Sequence, residues 1–216
     1  MGNRAIVKPI NENIGVYLHW NGGIDSVTAF LEYCKLKGYR DFGGKHSDSY
    51  GIARFTQVVS NFFGGKLSIG IETNIDETEE CAKGLDNGIY VIDGWDIVKR
   101  IGGNEYHEGY DLKEMLISID KAQPLEEQLG KNFLTSEVVD VSEINIGDEV
   151  YVADYDGKYN VFKVMGFCDS YIGDKNVKVP YVNQYERINS DGTVDYTYNI
   201  NNHLRVDKVR RYKKCF

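Results

Sequence analysis

Along the first hundred positions, short apolar runs give way to stretches of helical period and back again. Ala5-Ile-Val and Gly15-Val-Tyr-Leu-His-Trp are rich in β-branched and aromatic residues and read as two strands, with turn chemistry at Asn11-Glu-Asn-Ile-Gly between them. After Asn21-Gly22-Gly23 the period changes. Val27, Phe30, Leu31 and Cys34 recur at the i, i+3, i+4, i+7 spacing of one helix face, with Asp25 or Ser26 placed to cap the first turn and Gly38 to end it. A second helix follows Ser47-Asp48-Ser49, with Ile52, Phe55, Val59 and Phe62 as its stripe, and stops at Gly64-Gly65. Leu67-Ser-Ile-Gly-Ile-Glu alternates as a half-buried strand, Thr73 to Asn87 is polar and acidic and reads as loop, and Gly88 to Val98 returns to strand character around a turn at Gly94. Strands joined by such short connections predict antiparallel pairing with the helices packed on one face, an α+β arrangement.

A third helix is predicted from Asp111, with Leu112, Met115, Leu116 and Ile119 on one face; Pro124 opens a further turn that Gly130 stops. Beyond Val138 the helical period disappears. Val150-Tyr-Val-Ala-Asp-Tyr and Lys158-Tyr-Asn-Val-Phe-Lys-Val flank Asp156-Gly157, a strong hairpin signal that Asp191-Gly192 repeats between Tyr185-Glu-Arg-Ile and Val194-Asp-Tyr-Thr-Tyr. The expectation is an α+β domain over residues 1–135 and a small all-β module, an SH3-like barrel or curled sheet, over residues 138–216.

Composition narrows the class. A chain of 216 residues, 42% hydrophobic and 27% charged, can bury a core without staples. The cysteines (Cys34, Cys81, Cys168, Cys215) and histidines (His19, His46, His107, His203) are scattered without metal-ligand spacing, so thiols are expected and neither a metal nor a cofactor. No run approaches the roughly 18–20 apolar residues of a membrane span. The opening Met1-Gly-Asn-Arg-Ala-Ile-Val-Lys-Pro does not read as a signal peptide, and Gly2 is without the Ser or Thr expected of a myristoylation signal. The expected location is the cytoplasm, with no membrane partner.

Charge is distributed unevenly. The net value is −8. Residues 1–110 carry 11 basic and 15 acidic side chains, residues 111–156 carry 3 and 12, and residues 157–216 carry 11 and 6. The acidic extreme runs from Glu72 to Asp96 and includes Asp76, Glu77, Glu79, Glu80 and Asp86; the basic extreme includes Arg205, Lys208, Arg210 and Arg211. An acidic body disfavours nucleic-acid binding by the whole chain but leaves it open to the C-terminal end. That end is also rich in tyrosine, a residue of recognition surfaces for protein or stacked bases, and one that equally suits a half-buried pleated sheet.

The segment most suited to chemistry is His19-Trp20-Asn21-Gly22-Gly23 with Asp25-Ser26, where a strand ends, glycines permit a tight turn and a helix begins. Free amides at such a terminus can receive an anion, although the spacing of neither GxxxxGK[ST] nor GxGxxG is present. His19, Trp20, Asn21 and Asp25 are the residues of a pocket there. A tight turn with Trp20 as a core lid accounts for the same residues. Glu79-Glu80 and Glu126-Glu127 are adjacent and do not form an acid/base pair, and GxSxG and HExxH are lacking.

Asn3-Arg4-Ala5, Gly15-Val-Tyr-Leu-His-Trp-Asn-Gly-Gly, Asp25-Ser-Val, Ala29-Phe-Leu, Ala53-Arg-Phe, Asn61-Phe-Phe-Gly-Gly and Ile89-Tyr-Val-Ile-Asp together resemble a family of small hypothetical proteins of phages, prophages and gut Firmicutes. The resemblance implies a mobile-element setting and no established activity; it covers residues 3–93 and leaves the C-terminal module aside. In that setting the expectation is a non-catalytic protein that binds a host protein or ribonucleoprotein stoichiometrically in the host cytoplasm. Counter-defence inhibitors such as anti-CRISPR proteins work in this way, with acidic surface competing against nucleic acid. The alternatives are a nucleic-acid-binding or nucleotide-sensing regulator using Arg205, Lys208, Arg210 and Arg211, and a small-ligand-binding protein or hydrolase at His19 to Asp25.

Overall fold

The computed structural model describes residues 2–42, 49–65, 67–104, 107–153, 159–172, 175–188, 194–203 and 208–212, with side chains described up to Asp169 and again from Lys208. The chain folds into two units, Met1–Pro124 and Leu125–Phe216. It is α+β, as the pattern of apolar positions predicts.

In the first unit, β1 (Ala5–Pro9) and β2 (Ile14–Leu18) form a hairpin, followed by α1 (Ile24–Leu36) and α2 (Ser49–Phe63). Then come β3 (Ile69–Thr73), the short α3 (Glu79–Ala82), β4 (Ile89–Asp93), β5 (Asp96–Ile101) and α4 (Leu112–Lys121). The sheet order is β3-β2-β1-β4-β5. Gly94, at φ +63, makes the predicted turn between β4 and β5. One expectation is corrected: the central pair β1/β4 is parallel, so the sheet is mixed rather than antiparallel. The chain leaves β3 at one edge and must regain β4 beyond β2 and β1, which takes a crossover rather than a turn.

That crossover is the acidic stretch expected to be loop. Its Ile75, Ala82 and Leu85 pack on Ile6, Ile89, Val91 and Ile101, covering the sheet face opposite the helices. Lys8, only 2% exposed on this face, meets Glu77 of the crossover at 2.8 Å. The other face buries Val7, Val16, Leu18, Tyr90 and Ile92. Helices α1 and α2 pack there around an aromatic cluster in which Phe30 meets Phe55 and Phe62 edge-on and Phe42 stacks on Trp95. The thiol of Cys34 is buried here, and burial pushes its pKa up. From α4, Asp120 accepts a 2.8 Å hydrogen bond from the buried Tyr33 hydroxyl.

The second unit, Leu125–Phe216, includes α5 (Lys131–Leu134), whose Phe133 lies against Tyr151 and Tyr159. The strands are β6 (Glu137–Asp140), β7 (Glu149–Ala153), β8 (Tyr159–Ile172), β9 (Lys175–Ile188), β10 (Val194–His203) and β11 (Lys208–Arg211), ordered β10-β9-β8-β7-β11-β6. Val139, Ile144, Val150, Phe162, Val164 and Val209 form their core. Strands β8 and β9 run far beyond the segments predicted from alternation. The Asp156-Gly157 and Asp191-Gly192 turns lie outside the described residues, but the strands they join do pair. Among the described residues, no helix is long and apolar enough to cross a membrane.

Candidate functional site

The turn from β2 into α1 is built by close approach of the N-terminal segment. Asn3 donates its backbone N–H to His19 and accepts that of Gly22, and the Tyr90 hydroxyl donates to the Gly22 carbonyl at 3.1 Å. A Cβ on Gly22 would stand 2.5 Å from the Asn3 oxygen, so only glycine fits. Asn21 takes the left-handed conformation, φ +53, that Asn tolerates better than most residues.

Gly23 is the N-cap of α1 and makes no side-chain cap bond, while one oxygen of Asp25 accepts the first-turn N–H of Ser26 at 3.3 Å. Asp25 and Ser26 also hold the segment preceding α4. Asp25 accepts the backbone N–H groups of Gly109 (2.7 Å) and Tyr110 (3.2 Å), while the buried Ser26 hydroxyl donates to Glu108. The second oxygen of Glu108 accepts from the Asn3 amide, whose oxygen accepts from the buried Asn87 amide; Asn21 donates to Ser26 at 3.3 Å. Burial pushes the Glu108 carboxyl above its ordinary range, and Asp25 adds to the effect against the hydrogen bonds from Ser26 and Asn3. Burial acts the same way on Asp25, but the backbone N–H groups it accepts prevail and lower it.

The four predicted loop residues make different contacts. Asn21 and Asp25 turn into this network. His19 accepts or donates at 3.0 Å to the Tyr17 hydroxyl, and Trp20, expected as a pocket wall or core lid, is 44% exposed with its ring edge-on to His19 at 4.9 Å. Glu108, Asn3 and Asn87 are partners of this loop that the sequence does not announce. They lie some eighty residues or more from what they touch, and no local pattern marks them. Chemically the network fastens a strap to a helix start. A nucleophilic hydroxyl must be reachable, and that of Ser26 is fully buried beneath Glu108.

The acidic candidates divide by role. Glu77 binds both Lys8 and Lys99, which lowers its pKa. Asp86 accepts the Arg4 guanidinium and backbone N–H at 2.9 Å, bringing its carboxyl down to about 2. Both carboxylates fasten the crossover. Glu72, Asp76, Glu79 and Glu80 stand exposed on its outer side and on β3.

The basic candidates are largely occupied. Arg210 covers the Phe133 ring at 4.7 Å and donates toward the Phe133 and Ser136 carbonyls, and Arg211 reaches Glu137, Asp148 and the Glu143 carbonyl. Lys208 is exposed, and Arg205 lies outside the described residues. Tyr151, Tyr159 and Tyr212 gather around Phe133 or one another as packing rather than as a free stacking face. No protein-family model matches this chain, and neither a curated protein nor a solved structure does.

Proposed function

We propose that this chain is a non-catalytic binding protein that acts stoichiometrically on a basic surface of a host macromolecule, in the manner of counter-defence inhibitors such as anti-CRISPR proteins. The observation that supports this reading is the acidic crossover. Ile75, Ala82 and Leu85 anchor it, Glu77 and Asp86 pin it to Lys8, Lys99 and Arg4, and four acids are left facing solvent. Charges held on an ordered backbone lose less entropy on binding than charges on a free loop, and they steer encounter with a positive groove. The internal use of Arg210 and Arg211 makes the nucleic-acid alternative the weaker one. For the second unit the reading includes an SH3-like barrel or curled sheet, supported by the Ile146-Gly-Asp-Glu-Val-Tyr-Val opening and the strand pairing that follows it.

The test is capture of partners by the tagged full chain from bacterial lysate, with and without nuclease. It is compared with a variant carrying Glu72→Lys, Asp76→Lys, Glu79→Lys and Glu80→Lys. A dominant protein that survives nuclease and is lost with the variant supports the reading; identical capture by both overturns it.

A further inference from the structure

We infer that the outer edge of β3 takes an extended, lysine- or arginine-bearing segment of a protein partner as an added strand of the first sheet. The inference rests on the proposed function, since it concerns how that partner would dock. β3 ends the sheet order, and among the described residues no strand pairs with its outer side. The His19 N–H bonds the Ser68 carbonyl at 2.8 Å. In the antiparallel register Tyr17↔Gly70 and Gly15↔Glu72 then carry the ladder, and Ile69, Ile71 and Thr73 turn their N–H and C=O groups outward.

Comparison with the opposite edge shows that this edge is not blunted. Edges are commonly guarded by lysine, proline or a bulge. The opposite edge, β5, carries Lys99 and Arg100 and a register shift against β4, whereas β3 (Ile-Gly-Ile-Glu-Thr) has no lysine or proline and pairs with β2 without a shift. Its side chains also offer apolar contact on both faces. On the helix side Ile71 is 50% exposed. On the other side Gly70 has no side chain, and the Tyr17 ring beside it belongs to an aromatic row continued by His19 and the exposed Trp20. Exposed aromatics beside unpaired backbone are the components of strand addition, where main-chain bonds supply affinity and alternate side chains supply selectivity.

Charge selects the occupant. Glu72 projects from the strand itself, and Asp76, Glu79 and Glu80 follow its end. A second copy of this chain would bring the same acids against them, whereas a basic segment is complementary.

The experiment adds a short capped peptide of alternating lysine and valine to the isotope-labelled full chain and follows amide hydrogen exchange. The expected result is roughly tenfold slower exchange at Ile69, Ile71 and Thr73. The slowing is lost when alternate peptide nitrogens are methylated, reduced in the fourfold acid-reversal variant, and absent with a glutamate–valine peptide. Ile71→Pro removes an outward N–H and no ladder bond, so it also abolishes the effect; the methylated peptide tests the same point without altering the protein. Peptide binding that leaves these amides unprotected, or that tolerates methylation, overturns strand addition and leaves the acidic-surface reading standing. The same holds for an absence of peptide binding where lysate capture still depends on the four acids. Absence of both overturns the two together. Protection that rises with protein concentration and needs no peptide assigns the edge to a second copy and overturns the inference.

Discussion

Glu77→Gln should destabilise the first unit far more than Lys8→Met, although both remove the same ion pair. Lys8 is 2% exposed and its ammonium lies 2.8 Å from Glu77; the Glu77 side chain is 32% exposed and has Lys99 as a second partner at 2.9 Å. At an effective dielectric constant of about 20, two charges at this distance interact by roughly 6 kcal/mol. Solvent near Glu77 discounts that, and breaking a buried pair from the exposed side costs on the order of 3 kcal/mol, because a buried ammonium is left without its counter-charge. Lys8→Met removes the buried charge together with the bond. It keeps the stem that packs beside Val91 and leaves Glu77 with Lys99, so its cost is within about 1 kcal/mol of zero. The double variant should resemble Lys8→Met. Urea unfolding followed by tryptophan fluorescence is selective for this unit, since Trp20 and Trp95 are the chain's two tryptophans and both lie in it. A Glu77→Gln cost below about 1 kcal/mol, or equal costs for the two single variants, would refute the reasoning.

Ser26→Ala should cost about 1–2 kcal/mol by the same unfolding assay, because Glu108 loses a donor and Asn21 an acceptor in a largely buried network; a neutral result would mean the strap is not fastened there. Arg210→Ala should destabilise the second unit by about 1–2 kcal/mol, read by circular dichroism, through its loss from the Phe133 ring and two carbonyls. Salt-dependent oligonucleotide binding lost with this variant while stability stays unchanged would instead favour the regulator reading. Acid titration has two opposed contributions. Asp86, lowered to about 2 by Arg4, stabilises the fold above the ordinary carboxylate pKa, and that stability is lost as pH falls from about 4 toward about 2. Glu108 is raised, so its ionisation opposes folding and acidification relieves the opposition. Arg4→Met should therefore shrink the acid-side fall in Tm, and Glu108→Gln should remove the relief; an acid limb identical in Arg4→Met and the parent would contradict the assignment.

Local rules carried the elements of the first unit. Period 3.6 at Val27, Phe30, Leu31 and Cys34, alternation at Leu67 to Glu72, and Asp111 ahead of Leu112 each concern neighbours in the chain. The structure has α1, β3 and α4 at those places, with Asp111 accepting the Glu114 N–H as cap. Turn residues behaved likewise at Gly94. What local rules do not contain is the partner across space. Whether β4 joins β1 parallel depends on where β3 has already paired, and that choice turns an acidic, loop-like stretch into a crossover that packs on one face of the sheet. The same crossing determines that Glu77 and Asp86 are fasteners while Glu72, Asp76, Glu79 and Glu80 face water, a distinction invisible in a run of like charges. Asp25 and Ser26 have the chemistry of a cap. Asp25 keeps one oxygen on the first-turn N–H of Ser26, and the two residues also serve a strap because Glu108, Gly109 and Tyr110 arrive from a distant segment and take the other Asp25 oxygen and the Ser26 hydroxyl. Residue type and spacing thus determined which segments form helix or strand and where charge accumulates along the chain. Pairing order and long-range burial, which depend on every element at once, decided which of those charged and polar groups remain available to a partner.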